Sequence, residues 1–187
     1  MKRTFIAIKI EPGEELRKVI FNFRDTLRND MIKWVEDDNI HLTLRFLGNT
    51  NPGQVATVTQ LLKNICVQKI KFEFHLSGAG IFKSFRKPRV IWIGIEQDNG
   101  LQSLYRSINE NIEDSGFTRE PDLWLPHLTI GRIKEITSKK LLRELIDKYQ
   151  NQLFQLVKVQ EIVFFESKLF PSGPVYFPVE KFSLKIE

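Results

Sequence analysis

The chain has 187 residues, a length that favours one domain, with room for two lobes. Hydrophobic residues make up 42% and charged residues 27%, which is typical of a globular protein and argues against a disordered or fibrous chain. The formal net charge of +5 is a moderate basic excess. It is compatible with a polyanionic partner such as RNA, although many basic proteins bind no polyanion.

Cysteine content and the N-terminus bear on the cellular compartment. The chain has a single cysteine, Cys66, so no intrachain disulfide can form, which fits a reducing cytoplasm. Cys66 lies on a helical apolar pattern, which favours a buried hydrophobe over a nucleophile. The N-terminus is basic and then apolar, but Lys9 and Glu11 interrupt the apolar run too early for a signal peptide. No stretch approaches the roughly 18 apolar residues of a membrane span. We therefore expect a cytoplasmic protein with no membrane association.

The predicted elements follow the order β-α-β-α-β-β-α-β-α-β-β. Apolar residues spaced for one helical face predict four helices, around 16–27, 55–65, 101–112 and 141–149. Alternating or short apolar runs predict strands at 4–10, 40–47, 72–78, 90–95, 125–133, 157–169 and 175–184, the last two joined by a turn at 171–174. The order indicates a duplicated β/α unit, and no linker separates independent domains. We therefore expect one domain spanning residues 1–187.

A tetrapeptide that occurs twice is the most informative feature of the sequence. The copies are His41-Leu42-Thr43-Leu44 and His127-Leu128-Thr129-Ile130, and they contain two of the three histidines. Residues two apart on a β-strand point to the same face, so each copy presents an imidazole beside a hydroxyl. We expect the fold to bring the two pairs together in one cleft.

Two such pairs suit acid–base chemistry at a phosphorus atom. A neutral imidazole accepts a proton from water, a protonated one gives a proton to a leaving alkoxide, and an ordinary pKa of about 6.5 allows both near neutral pH. One histidine on each side of phosphorus is the arrangement that an in-line displacement needs. The hydroxyls of Thr43 and Thr129 can donate to the non-bridging oxygens, where negative charge resides in the transition state.

A cation beside the motifs would complete a phosphate site, and two arginines are candidates. Arg45 shares the strand face of His41 by parity, but it could equally be a solvated strand residue. Arg132 has the opposite parity to His127, so it reaches the site only if the chain bends or bulges at Gly131. Either guanidinium would bind a phosphate through two hydrogen bonds.

Other site types have less support. Zinc usually takes three or four ligands, and neither motif has a second His, Cys, Asp or Glu at ligand spacing, so we expect no metal. No glycine-rich phosphate loop of the nucleotide-triphosphatase type is present. The third histidine, His75, has no threonine partner and is expected to be a structural or surface residue.

The sequence resembles the 2H phosphoesterase superfamily, and within it the RNA 2′,3′-cyclic phosphodiesterases, also called 2′-5′ RNA ligases. The resemblance covers nearly the whole chain, and no catalytic position departs from the pattern. Besides the paired His-x-Thr-x motifs, it rests on segments at 3–8, Trp34, 39–48, 88–94, 126–132, 165–169 and 173–176.

The resemblance implies a bilobal α+β fold in which two antiparallel sheets, related by pseudo-twofold symmetry, face a central cleft with helices outside. It implies that a terminal ribose 2′,3′-cyclic phosphate is opened to a 2′-phosphomonoester without metal or nucleotide cofactor. By the same resemblance, His127 is the proton acceptor for water and His41 the proton donor to O3′. The residues alone leave the order of these two roles open.

The implied partner is RNA with a 2′,3′-cyclic phosphate end, tRNA fragments included, and we expect a monomeric enzyme. Run in reverse, the same chemistry joins such an end to a 5′-hydroxyl as a 2′-5′ bond. Phe5 and Trp34 are expected to stack on the terminal base, although strand aromatics more often belong to the core. Two alternatives stay open: another 2H specificity, for 2′-5′ oligonucleotides or nucleoside cyclic phosphates, and a non-catalytic module that binds RNA ends.

Overall fold

The computed structural model describes residues 1–96, 98–119, 124–171 and 173–186, so Ser172 of the predicted closing turn lies outside the described residues. In the described chain the helices are α1 (Glu14–Thr26), α2 (Pro52–Cys66), α3 (Asn99–Asp114) and α4 (Lys139–Tyr149). The strands are β1 (Lys2–Lys9), β2 (Met31–Trp34), β3 (His41–Thr50), β4 (Phe72–Phe82), β5 (Val90–Ile95), β6 (His127–Glu135), β7 (Leu153–Val159), β8 (Glu161–Phe170) and β9 (Gly173–Ser183).

Two of the four helices, α2 and α3, begin at side-chain caps, and all four bury the apolar stripes that predicted them. Asn51 and Gln54 form a reciprocal capping box at the start of α2, with Pro52 in the first turn. The side chain of Asp98 accepts hydrogen bonds from the first backbone N–H groups of α3. Each of the four predicted helices is therefore present.

The strands differ from the prediction at two places. β2 was not predicted, because it is only four residues long and its strand pairing is with distant β6. The single strand expected over 157–169 is two strands, β7 and β8, which part at Gln160. Both differences arise from pairing between residues far apart in sequence, which leaves little trace in a local pattern.

The strands form one antiparallel arrangement in the order β7-β4-β5-β6-β3-β1-β8-β9, with β2 added on β6. The two motif strands, β3 and β6, meet at the centre through a single residue pair, Leu42 with Leu128. The two sheets expected from the resemblance are therefore joined there into one nine-stranded sheet. The α+β class, with a mostly antiparallel sheet and a two-repeat pattern, is confirmed.

The chain exchanges strands between the two halves of this sheet. β4, from the N-terminal half of the chain, pairs with β5 and β7, whereas β8, from the C-terminal half, pairs with β1. Both sheet halves thus contain segments from both ends of the chain. None of the helices in the described chain is long and apolar enough to cross a membrane.

The main core lies between the sheet and the helices, and it takes the apolar residues of both motifs. Leu42, Leu44, Leu128 and Ile130 are at most 2% exposed and belong to the same cluster as the helix stripes. Cys66 is buried there too, and burial raises the pKa of its thiol to about 12, so it is no nucleophile. Strand alternation therefore directs the polar motif residues to the opposite face of the sheet.

Candidate active site

A cleft of about 710 Å³ lies on that opposite face, where β3 and β6 meet. Both motifs contribute to its lining with His41, Thr43, His127 and Thr129, so the four residues predicted from the repeat line the same cleft. The strand β2, the residues that follow it and the ends of β8 and β9 form the remaining walls.

The two imidazoles are held by matching hydrogen bonds. Nδ1 of His41 lies 2.7 Å from the carbonyl oxygen of Asn39, and Nδ1 of His127 lies 2.7 Å from that of Leu125. A carbonyl only accepts, so in both rings Nδ1 carries the hydrogen and donates. In the neutral form, Nε2 of each ring is then the basic nitrogen. Both histidines are thereby set to exchange protons through Nε2.

Aromatic rings hold both imidazoles in place. His41 lies 5.0 Å from the ring of Phe5 and meets Tyr176 edge-on at 5.2 Å between ring centroids. His127 meets Phe82 almost perpendicularly, at 4.6 Å. These contacts restrict rotation of the rings and exclude water from one side of each.

The same surroundings lower the pKa of both histidines. Burial is the main cause, because it disfavours the charged imidazolium, and the nearby charge of Arg132 acts in the same direction. The hydrogen bonds to the backbone carbonyls partly oppose this effect. In the free protein the neutral imidazole is therefore favoured at both positions near pH 7.

Arg132 lies in the cleft because β6 contains a bulge. Thr129 pairs with Trp92 on β5 and Gly131 pairs with Ile91, so Ile130 is the extra residue. The bulge reverses the alternation after Thr129, which places Arg132 on the face of His127. The sequence predicted that Arg132 reaches the site only if the chain bends or bulges at Gly131, and the observed bulge lies next to that residue.

The substrate contact expected of Arg45 is wrong, and a matching bulge is the reason. On β3, Thr43 pairs with Ala7 of β1 and Arg45 pairs with Ile6, so Leu44 is the extra residue. Arg45 consequently turns to the helix side, where it is 3% exposed. Its guanidinium donates to the side chains of Asn109 and Glu113 and to the carbonyl of Thr118.

The two predicted aromatics differ in exposure. Trp34 is half-buried in the cleft wall, next to Gly131, and stays a candidate for base stacking. Phe5 also borders the cleft but is only 3% exposed, enclosed by His41, Phe165 and Tyr176. Because its ring has so little free surface, Phe5 supports the His41 imidazole instead of stacking on a base.

Several cleft residues were missed by the sequence reasoning as site residues: Arg3, Lys33, Phe46, Ser167 and Tyr176. All of them except Lys33 lie in segments that carry the family resemblance, which was the available signal. Phe46 occupies the position on β3 that matches Arg132 on β6, and only the bulge brings it to the cleft.

Among the described residues, the remaining histidine and the acidic side chains form no second site. His75 is 44% exposed at its side chain, and its Nδ1 lies 3.7 Å from a carboxylate oxygen of Glu96, as expected of a surface residue. In the part of the chain that the structure describes, no group of three His, Cys, Asp or Glu side chains could hold a metal ion.

Known proteins are similar to this chain over nearly its whole length. The chain is 34% identical to the RNA 2′,3′-cyclic phosphodiesterase of Methanothermobacter thermautotrophicus, over 97% of this chain and 98% of the relative. It is 35% identical to the protein of the same name from Methanocaldococcus jannaschii, over 93% of this chain and 96% of the relative.

Solved structures share the fold. TT0787 of Thermus thermophilus superposes with a TM-score of 0.81 at 26% identity, covering 99% of both chains. E. coli LigT, crystallised with 3′-AMP, superposes with a TM-score of 0.75 at 23% identity over 98% of both chains, a likeness of fold. The family model for LigT-like phosphoesterases matches this chain twice, at residues 8–92 and 93–176. Two repeats of one family model, each carrying a His-x-Thr motif, make this chain a member of the LigT-like phosphoesterase family.

Proposed function

We propose that this protein hydrolyses the 2′,3′-cyclic phosphate at the end of an RNA to a 2′-phosphomonoester. The observation that carries the proposal is the matched pair of histidines, each fixed through Nδ1, in one cleft with Arg132. The full-length relatives named RNA 2′,3′-cyclic phosphodiesterase support the substrate class. The net charge of +5 also suits a polyanionic substrate.

In the proposed reaction, neutral His127 accepts a proton at Nε2 from a water molecule as the water oxygen attacks phosphorus. The bond between phosphorus and O3′ breaks on the opposite side, and protonated His41 gives its Nε2 proton to O3′. The products are a 3′-hydroxyl and a 2′-phosphomonoester, with both histidines in exchanged protonation states. Proton exchange with solvent then restores the starting forms.

The reaction also requires that the negative charge on the non-bridging oxygens be stabilised. The hydroxyls of Thr43 and Thr129 lie on the same strand faces as the histidines and would donate hydrogen bonds to those oxygens. Arg132 would add a bidentate, charged contact. Binding of the anionic phosphate beside Arg132 also offsets the charge that lowers the pKa of His41, which favours the protonated form that the donor needs.

With an RNA 5′-hydroxyl in place of water as the nucleophile, the same groups would form a 2′-5′ bond, so we include reversible ligation in the proposal. We also propose that the enzyme works as a cytoplasmic monomer on RNA ends, including those of tRNA fragments. Support for the monomer is that one chain alone contributes both motifs and Arg132 to the cleft.

The test is an oligonucleotide ending in 2′,3′-cyclic phosphate, incubated with the protein in excess EDTA, with the product identified by mass and by its resistance to a 3′-specific phosphatase. We expect a 2′-phosphomonoester and no effect of the chelator. Either His→Ala variant should lower kcat by about 10²–10⁴-fold, because one positioned acid or base supplies that much.

Three results would contradict the proposal. Inhibition by EDTA that added metal reverses would point to a metal enzyme. Tight binding of the cyclic end without product would favour the non-catalytic RNA-end-binding module. Preferential cleavage of 2′-5′ oligonucleotides or nucleoside cyclic phosphates in a substrate panel would instead favour the other 2H specificities.

A further inference from the structure

Three cations, Arg3, Lys33 and Arg132, and one carboxylate, Glu36, line the cleft, and among the described residues none of the three cations forms an ion pair. By contrast, Lys2, which neighbours Arg3 on β1, pairs with Glu166 at 2.9 Å on the other face of the strand. One cyclic phosphate carries a single negative charge and needs one guanidinium. A cleft with additional unpaired cations is therefore suited to a ligand with more than one phosphate.

Arg3 and Arg132 occupy different parts of the cleft. The motif strands are antiparallel and pair through Leu42 and Leu128, so Phe46 on β3 and Arg132 on β6, each four residues further along its own strand, lie in opposite directions from that pair. Arg3 on β1 pairs with Asn49 of β3, on the Phe46 side. The charge of Arg132 acts on the pKa of both histidines. Burial is the main influence on Tyr176 and raises its pKa, and both arginines partly oppose it. Tyr176 in turn touches His41 edge-on. Arg132 thus lies toward one end of the two motif strands, and Arg3 lies toward the other end, next to Phe46.

The side chain of Arg3 has a defined position although it is exposed. Its guanidinium carbon lies 5.0 Å from the centre of the Phe46 ring, a cation–π contact. Phe46 is 43% exposed on the cleft rim. Stacking occupies one face of the planar guanidinium and leaves its N–H edges free to bind an anion through two hydrogen bonds. Ser167, which also lines the cleft, offers a hydroxyl donor on β8.

We propose that Arg3, stacked on Phe46, binds the phosphate on the 5′ side of the terminal nucleoside and so distinguishes an RNA end from a free nucleoside cyclic phosphate. The inference rests on the proposed function. Every RNA end carries this second phosphate one ribose away from the cyclic one, and a nucleoside 2′,3′-cyclic phosphate lacks it. Within the same cleft, Arg3 is displaced from Arg132 along the motif strands, so the two guanidinium groups can bind two different phosphates of one RNA end.

The test compares two substrates that differ only in this group, adenosine 2′,3′-cyclic phosphate and its 5′-phosphorylated form. For the unaltered protein we expect the 5′-phosphate to raise kcat/KM about tenfold, the gain typical of a charge-assisted hydrogen bond. In Arg3→Gln the ratio of the two kcat/KM values should fall close to one. Arg3→Lys keeps the positive charge but loses the planar guanidinium that makes two parallel hydrogen bonds and stacks on Phe46. The ratio of the two kcat/KM values should therefore lie between those of the unaltered protein and Arg3→Gln.

Two further variants separate a local effect from net charge. Lys158→Gln makes the same charge change at an exposed position on β7 outside the cleft, and it should keep the full ratio. Phe46→Leu removes the ring under the guanidinium and should lower the ratio less than Arg3→Gln does. With a longer RNA, Arg3→Gln should also make the salt dependence of log kcat/KM shallower by about 0.7, the slope for one phosphate on a single strand.

The outcomes separate the two proposals. If both substrates are hydrolysed but the ratio is the same in the unaltered protein and Arg3→Gln, the second phosphate site is wrong and the proposed hydrolysis stands. A ratio near one in the unaltered protein would also overturn the second phosphate site. If neither substrate nor the RNA is hydrolysed, the proposed function fails and the subsite with it.

Discussion

At the scale of single residues, the proton chemistry is set by what surrounds each imidazole. The carbonyls of Asn39 and Leu125 fix the tautomers, since both accept from Nδ1. Burial and Arg132 lower the pKa of both rings. In the proposed reaction one ring must be neutral and the other protonated, so kcat/KM should follow a bell-shaped curve against pH whose limbs report these two groups.

Arg132→Met should move that curve in a definite direction. The positive charge of Arg132 disfavours the imidazolium, so its removal raises the pKa of both histidines and shifts both limbs to higher pH. The maximum should fall by about 10²-fold, because a charge-stabilising donor is lost. The measurement is kcat/KM on a cyclic-phosphate RNA from pH 5 to 9. Lys158→Met should leave both limbs in place, and a shift of the Arg132→Met curve to lower pH would refute the electrostatic explanation.

Arg45→Met should affect stability instead of catalysis. Arg45 is 3% exposed, and its Nη1 lies 2.8 Å from Oδ1 of Asn109 and 3.3 Å from Oε1 of Glu113. Removing one partner of a buried charged network costs about 3–5 kcal/mol of unfolding free energy. We expect a loss of that size in urea unfolding, with kcat/KM of the folded variant unchanged.

Arg17→Met provides the matched control for this experiment. Arg17 pairs with Asp37 at 3.3 Å on the exposed surface, so its loss should cost less than about 1 kcal/mol. If Arg45→Met instead kept its stability and lost activity, Arg45 would have the phosphate-binding role that its strand parity first indicated.

At the scale of elements, the sequence predicted the four helices and both motif strands, because a long period-3.6 pattern and a clean alternation are strong local signals. It placed the four motif residues correctly on one cleft for the same reason. The sequence wrongly placed Arg45 on the cleft face, and it placed Arg132 there only if the strand bulges. A bulge adds one unpaired residue without changing the composition, so the sequence alone does not show it. The bulges are fixed by pairing with β1 and β5, which no local window contains.

Gly131→Ala tests the bulge that brings Arg132 into the cleft. A Cβ at Gly131 would lie 2.9 Å from the Trp34 ring and 3.1 Å from Cγ2 of Ile32, so β2 would have to move away from β6. We expect a loss of about 1–3 kcal/mol in urea unfolding, as for other overpacked sites. We also expect lower kcat/KM, since Arg132 is the next residue.

A double-mutant cycle with Trp34→Leu identifies the cause. The smaller side chain removes the clash, so the combined variant should lose less stability than the sum of the two single variants. Strict additivity would mean that the approach of Trp34 is not the cause of the loss.

At the scale of the whole molecule, the exchange of strands makes the two repeats interdependent. The family repeats divide the chain near residue 92, but the hydrogen bonds of β1 with β8 and of β4 with β7 cross that division. The site has the same property, because His41 and Thr43 come from the first repeat and His127 and Thr129 from the second. Gene duplication of a β/α unit would give this arrangement if each copy completed the other's sheet.

Separate expression of residues 1–86 and 87–187 tests this interdependence, because the cut falls in the exposed connection between β4 and β5. Fragment 1–86 leaves β1 without β8 and β4 without β5 and β7, so apolar strand faces would be open to water. We expect neither fragment alone to show a cooperative urea transition, and an equimolar mixture to recover both the transition and hydrolysis of the cyclic phosphate. A cooperative transition for either fragment on its own would mean that the lobes fold independently, contrary to a single domain spanning residues 1–187.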